Sequence, residues 1–297
     1  MIFNVLRRLS AQHEITLVSF TDGREPPEAL VQVSRYCARI ETVRLPRWRS
    51  WLQAWAGLPL PVPSQVSFYR SGRMRTLVRR LAAAGEFDVV FAHLIRMAPF
   101  AADLQHPAKV LWLVDSLGLA LGRSQRFAPW WRRPGIHWER WRVDSYTTRM
   151  SRCFAESWAI SPSDVVDLER IGCPHVELVT HSVDERLFCV TRRTAVPSRI
   201  VFLGNLSVPH NVDGALFAVR EVWPAIRAAV PGARFLLAGA DPVPAIREAA
   251  AAAGVEVTGP FPDLLDLWAS VDVMLAPLRF STGIQTKVLE AMAAGVP

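Results

Sequence analysis

The chain is short of cysteine, of long apolar runs and of metal-binding spacings, and each shortage removes a class of protein. Its four cysteines, Cys37, Cys153, Cys173 and Cys189, lie far apart with no C-x-x-C pair. That spacing excludes a zinc ribbon or a disulfide framework and fits a reducing compartment. No apolar stretch reaches the roughly 18 residues needed to span a bilayer. The N-terminal stretch is interrupted by Arg7 and Arg8 and runs straight into Gln12-His13-Glu14, so it does not read as a signal peptide. H-x-x-x-H, H-E-x-x-H and strand-end D-x-D patterns are lacking, so the sequence supports neither a metal-dependent step nor a cofactor. Internal repeats and low-complexity tracts are lacking as well. A cytoplasmic location follows as the expectation.

What is present is apolar mass and positive charge. With 297 residues, 51% of them hydrophobic, the chain can bury two cores, and two domains are expected. The formal net charge is +7 and the pI about 9.9. Arginine gathers in 44–49, 70–80 and 123–152, interleaved with Trp48, Trp51 and Trp55 and with Trp130, Trp131, Trp138 and Trp141. Such a surface suits nucleic acid or an anionic membrane face, where tryptophan sits at the interface and arginine meets lipid phosphates. No RNA- or DNA-binding motif accompanies it, so a peripheral site at the inner face of the cell membrane ranks first and nucleic acid is not expected. The competing reading is that several of these tryptophans are core and the arginines merely solvated.

Strands and helices alternate along the chain, which argues for an α/β fold with parallel sheets. A helix is expected over 2–11, strands over 13–20 and 40–45, and a helix over 72–84. The continuous apolar runs 87–92 and 108–114 read as central parallel strands. A helix over 138–154 and a strand over 156–160 follow, then Ser161-Pro162 as helix cap and first turn. Residues 191–198 lack periodicity and read as a linker between domains 1–190 and 199–297. The second domain opens with the strand 199–204. It continues through the helix 212–230, strand 234–239, helix 243–253, strand 255–258, helix 262–270 and strand 271–277.

The last of these strands leads into APLRFSTGIQTKVLEAMAAGVP. A glycine-bearing turn between strand and helix presents backbone N–H groups to an anion at the positive end of the helix. Gly283, Ile284, Gln285 and Thr286 would face a diphosphate and Lys287 would add charge. Val288, Leu289, Ala291 and Met292 would pack on the sheet, leaving Glu290 towards the turn, where a carboxylate suits ribose hydroxyls. An ordinary strand–loop–helix stays open as the alternative.

The run GIQTKVLEAMAAGVP resembles the donor-site signature of retaining GT-B glycosyltransferases of family 4, and its GIQ…KVLEAMA form is closest to sugar transferases of PEP-CTERM and exopolysaccharide systems. The resemblance implies a GT-B-like fold: two doubly wound Rossmann-like domains facing across a cleft. It covers nearly the whole chain, yet the chain covers only part of the family's length. The expectation is that the first strand of the first domain and the closing part of the second are missing. The resemblance further implies a hexosyl transfer with retention from a nucleoside diphosphate sugar to a hydroxyl acceptor, a saccharide or lipid-linked precursor of an exopolysaccharide. A non-catalytic nucleotide- or membrane-binding relative and a nucleotide-sugar epimerase remain open beside it.

Residue by residue, Glu290 matches the second glutamate of the family's Glu-x7-Glu pair, while Thr282 stands where the first would be. Gly204, Asn205 and His210 fall in the glycine-rich loop that neutralises the donor diphosphate, with Asn205 and His210 in places where Arg and Lys are common. A turn with Asn211 as helix cap is the alternative there. Gly259 and Phe261 fall where a loop lies along the base. Asp115 stands where many relatives carry a histidine; it could orient or deprotonate the acceptor hydroxyl, or cap the next helix. His93, at a strand end, is the other catalytic candidate, or simply a satisfied strand-end histidine. His181 and Ser182 replace the Asn-Gly usual in a PNGVD turn whose Val183, Asp184 and Phe188 are kept.

Overall fold

The run Lys109–Val114 (KVLWLV) has no wet side, and the chain buries almost all of it in the middle of a sheet. In the computed structural model, which describes residues 2–23, 27–85, 87–180, 182–191, 198–261 and 263–297, two α/β units form around such runs. One comprises Met1–His181 with Thr282–Ile284, the other Ser182–Ser281 with Gln285–Pro297.

The first unit runs α1 (Ile2–Leu9), β1 (Thr16–Thr21), α2 (Pro27–Ser34), β2 (Arg39–Arg44), α3 (Arg47–Ala56), α4 (Ser64–Phe68) and α5 (Gly72–Ala84). It continues through β3 (Val90–His93), α6 (Ala98–Ala102), β4 (Lys109–Val114), α7 (Leu117–Gln125), α8 (Arg133–Ser151), β5 (Glu156–Ala159), α9 (Pro162–Arg170) and β6 (Val176–Leu178). Strands β3-β4-β5-β6 form one parallel sheet in that order, and β1 pairs with β2 in a separate parallel pair. That pair is tied to the helices by a small core of Val18, Phe20 and Val43 against Met74 and Phe100. Serine caps start three helices: Ser71, Ser116 and Ser161 accept from the amides of Met74, Leu119 and Asp164.

The second unit runs β7 (Arg199–Leu203), α10 (Pro209–Phe217), α11 (Trp223–Ala229), β8 (Arg234–Ala238), α12 (Pro244–Ala253), β9 (Glu256–Gly259), α13 (Leu264–Ser270), β10 (Val273–Met274) and α14 (Thr286–Ala293). Its sheet is parallel, in the order β10-β7-β8-β9. Phe202 and Phe235 are sealed in its core, each contributing about 1.5–3 kcal/mol of burial. The single helix expected over 212–230 is interrupted by a π-type turn at Ala218–Val222. Pro224 explains the break, since its ring crowds the carbonyl of Arg220 and it has no N–H to give. The strand expected over 271–277 pairs only at Val273–Met274.

Of the expected linker 191–198, residues 192–197 lie outside the described residues, as does His181. The stretch before it, placed with the first half on sequence, packs on the second unit. Leu187 is buried there beside Val201, Leu236 and Trp268, with Val183 and Val190 against the same cluster. The short 3-10 turn Glu185–Cys189 that delivers Leu187 has no periodicity to announce it. Among the described residues no helix is long and apolar enough to cross a membrane.

Within the first unit, Arg142 of α8 is fully buried. It donates to the carbonyls of Gly57 (2.8 Å) and Val62 and to Glu139 Oε2 (2.7 Å), and Glu139 in turn accepts from the Ser64 amide (2.7 Å). One guanidinium thus pins the 57–64 connection between α3 and α4. Removing it leaves a carboxylate and two carbonyls short of partners in a dry place. Arg142→Met should therefore lower the unfolding free energy by roughly 3–5 kcal/mol in urea denaturation. A value within about 1 kcal/mol of the parent would show the network to be dispensable.

Candidate functional site

In the second sheet the chain leaves β7 for β8 on one side and comes back as β10 on the other. The connections that follow β7 and β10 therefore part at neighbouring strand ends, the place where open α/β sheets hold ligands. Two segments start there: the loop 204–211 after β7, and the stretch after β10 that leads to α14.

The β7 loop is shaped by close backbone approach. Gly204 N–H donates to Ala238 O at 3.0 Å, and a Cβ on Gly239, which has φ +144°, would fall 1.8 Å from Gly204 O. Asn205 is engaged locally: its Oδ1 accepts from the Ser207 amide (2.9 Å) and hydroxyl (2.6 Å), and its Nδ2 donates to Asp241 at 3.3 Å. Asn211 is not the cap. Helix α10 starts at Pro209 with Val208 before it, and buried Asn211 turns back into the loop, donating to Asn205 O at 3.0 Å. Across from it, Gly214 leaves room for Leu278 of the stretch after β10, and Arg279 of that stretch pairs with Asp213. Gly259, at φ +72°, has room where a Cβ would stand and accepts from the Gly239 amide at 2.8 Å, while Phe261 is partly buried.

Helix α14 presents a different face from the one expected. Lys287, Ala291 and Ala294, at i, i+4 and i+7, are buried, whereas Met292 is 68% exposed. Lys287 is thus an interior residue. Its Nζ donates to Asn211 Oδ1 at 2.8 Å and lies 4.7 Å from the centre of the Phe202 ring. Burial pulls its pKa from 10.5 down to about 8. Burial, and then the Lys287 charge, hold His210 below its ordinary value, so it is neutral at neutral pH. Burial pushes the Glu290 carboxyl up, with Asp184 adding to it. Thr286 and Lys287, in the first turn, carry amides that an α-helix leaves without an intrahelical acceptor.

The run GIQTKVLEAMA is divided between the units: Thr282–Ile284 belong to the first. Thr282 Oγ1 donates to Asp115 Oδ2 at 3.0 Å, and the Gly283 amide, at φ +68°, donates to Asp164 Oδ2 at 3.1 Å. That amide is therefore committed to a carboxylate in this structure. Asp164 also accepts from the Ser116 amide (2.9 Å) and the Ser161 hydroxyl and is wholly buried. Sequence reasoning missed Asp164; its place in the first turn of α9, behind the Ser161 cap, was the available signal. Asp115 is not the cap of α7, a role Ser116 fills. Burial raises the Asp115 carboxyl, an effect Thr282 partly offsets.

His93 ends β3 beside the Trp112 ring, 5.2 Å between centres, and its buried Nε2 has no hydrogen-bond partner among the described residues. Burial, helped by Arg96, lowers its pKa to about 4, so the imidazole is neutral. Both strand ends are strained: Leu94, just after His93, has φ +71°, and Val114, just before Asp115, has φ +73°. A β-branched residue in that region is rare and costs about 1–3 kcal/mol.

Residues 197–297 match a family profile described as "Glycosyl transferases group 1". No curated protein matches the chain by sequence. Among solved structures the fold is shared with Anabaena Alr3699/HepE in complex with UDP, at 12% identity and TM-score 0.57 over 95% of this chain and 79% of that one. A glycosyltransferase from Rickettsia africae ESF-5 matches at 10% identity and TM-score 0.58 over 99% and 73%. The α,α-trehalose 6-phosphate synthase of Burkholderia multivorans matches at 12% and 0.57 over 95% and 82%. The fold is thus α/β with Rossmann-like parallel-sheet units of the GT-B type.

The buried ammonium has a measurable signature. From about pH 8 to 10.5 the unfolded chain holds a proton on Lys287 that the folded chain does not, so stability from this group rises with pH across that window. Lys287→Met should abolish the rise, which is on the order of 2–3 kcal/mol. Parallel stability curves for parent and variant between pH 8 and 10.5 would contradict the burial of this charge.

Proposed function

We propose that the protein transfers a sugar from a nucleoside diphosphate sugar to a hydroxyl acceptor with retention at the anomeric carbon, the acceptor being a lipid-linked exopolysaccharide precursor. One observation carries the donor half of this reading. At the switch point of the second sheet, the β7 loop and the first turn of α14 are joined by the Lys287–Asn211 hydrogen bond, within the segment that matches the glycosyltransferase profile.

In this reading the diphosphate lies against the Gly204 loop and the Thr286 and Lys287 amides, where the positive helix end favours an anion. With a pKa of about 8, Lys287 keeps its charge at neutral pH and stabilises the departing diphosphate. His210 and Asn205 contribute polarity without charge. Glu290 accepts from the ribose hydroxyls, and the Gly259–Phe261 stretch borders the base. On the first unit, Asp115 orients the acceptor hydroxyl or takes its proton; its raised pKa suits proton exchange closer to neutral pH. Neutral His93 serves as a hydrogen-bonding or packing group there. Retention rests on the resemblance of 283–297 to the donor-site signature.

Attachment at the inner face of the membrane has support from exposure. The tryptophans interleaved with arginine are on the surface: Trp48 is 70% exposed, Trp55 69% and Trp130 79%. Rings placed this way sit at headgroup depth, with arginines toward lipid phosphates.

Two measurements test the reading. A panel of nucleotide sugars should yield turnover with a saccharide or lipid-linked acceptor; neither transfer nor nucleotide release with any of them would remove the enzymatic proposal. By calorimetry, Glu290→Gln should weaken nucleoside diphosphate binding by roughly 1–3 kcal/mol with little change in stability. Equal affinities would take Glu290 out of the site.

A further inference from the structure

Helix α3 buries Ser50 and Ala54 and leaves its tryptophans outside. Arg49, Ser50, Gln53 and Ala56 line a cavity of about 710 Å³, while Trp48, Trp51, Leu52 and Trp55 face solvent. A helix packed on a soluble core turns its apolar stripe inward and its charges outward. Here Arg49, Ser50 and Gln53 border a cavity, and in the aromatic stripe Trp51 has Phe68 beside it, 5.3 Å between ring centres.

The cavity has one sign of charge. Arg44, Arg49, Arg70 and Arg73 line it, and among the described residues no acidic side chain does. None of these four guanidiniums has an ion pair or side-chain hydrogen bond among the described residues, although exposed Arg39, Arg79 and Arg186 nearby in sequence or elsewhere find carboxylates. Gly72 and Arg73, the first two residues of the 13-residue helix α5, also border the cavity, and that helix has no acid in its first turn. Four arginines with no carboxylate partner among the described residues border one concavity, so an anion held there would meet positive charge from several sides. Arginine's planar fork matches phosphate oxygens in particular. The cavity shares no residue with the candidate site described above.

We propose that this cavity binds the phosphate or diphosphate head of one amphiphilic ligand, a phosphate-bearing lipid whose hydrocarbon lies along Trp48, Trp51 and Trp55. The two faces of a single helix then match the two ends of a single molecule. The inference rests on the transferase reading only for the ligand's purpose, as membrane-borne acceptor or anchor; the binding itself is measured without sugar transfer. It is more specific than attraction to a charged surface, because a bounded cavity discriminates among anions of equal charge density.

The test uses the full chain, phosphatidylcholine vesicles doped with phosphatidic acid, and inorganic pyrophosphate. Phosphatidic acid vesicles should capture the protein, and pyrophosphate should release it at constant ionic strength. The double variant Arg49→Ser/Arg73→Ser should weaken both vesicle capture and pyrophosphate binding by about tenfold or more. Trp48→Ser/Trp55→Ser should lose vesicle capture and keep pyrophosphate binding. Circular dichroism checks folding, and Arg44→Ser/Arg70→Ser is the second pair should the first unfold. Three results overturn the proposal: capture that follows vesicle charge with phosphatidylglycerol as well and ignores pyrophosphate; pyrophosphate binding without vesicle capture; or binding of neither. Nucleoside diphosphate binding measured alongside separates failure here from failure of the transferase reading.

Discussion

The hydrogen bond from Lys287 to Asn211 is the contact on which the second unit's site depends. It joins two segments that leave the sheet at β7 and β10, and it does so with a charge placed in a dry interior. Such a charge is tolerated only with a polar acceptor and a favourable field, here the Asn211 carbonyl and the face of Phe202. The choice of lysine is itself informative. The chain has two lysines among 34 basic residues, and both are buried. Lys109 donates to the carbonyls of Ala102 and Leu104, at 3.0 and 2.8 Å. A compact ammonium fits where a guanidinium fork would not. Arginine takes the surface, with Arg142 the exception that binds a connection together.

The first unit solves the opposite problem, holding carboxylates in place. Asp164 is wholly buried and receives donors from three segments, Ser116, Ser161 and Gly283. Charge-assisted bonds of this kind are about twice as strong as neutral ones, and they fix the strand-end backbone around Asp115. The strained Leu94 and Val114 sit on the same strand ends, beside the two residues proposed to act there. Strain persists only where its surroundings over-determine it, and the buried hydrogen bonds of Asp164 are of that kind.

Much of the fold was legible. The continuous apolar run 108–114 marked β4, strand–helix alternation marked β7 and β8, Ser161 marked the start of α9, and the helix Gly72–Ala84 was read to the residue. The face of α14 was not legible, because Val288, Leu289, Ala291 and Met292 are apolar on adjoining sides and the hydrophobic pattern cannot choose among them. The lysine at 287 then reads as a surface charge. The close approach of Gly204 and Gly239 was hidden as well, since the glycine at 239 looked like an ordinary strand end. Two departures from the family pattern, Thr282 and Asp115, were read separately, the first as a missing carboxylate and the second as a candidate to act on the acceptor hydroxyl. In the structure they are partners at 3.0 Å: a hydroxyl at 282 donates to a carboxylate at 115, an arrangement that a second carboxylate at 282 would oppose by repulsion.

The central claim is that the second unit's switch point, held by Lys287 and Asn211, is a nucleoside diphosphate site. Amide hydrogen exchange tests it directly, with UDP, ADP and GDP added in turn to the full chain. The account predicts that at least one nucleotide slows exchange in the loop Gly204–Asn211 and in the first two turns of α14, and that Asn211→Ala abolishes both effects together. Protection confined to other segments, or none with any nucleotide, would contradict it.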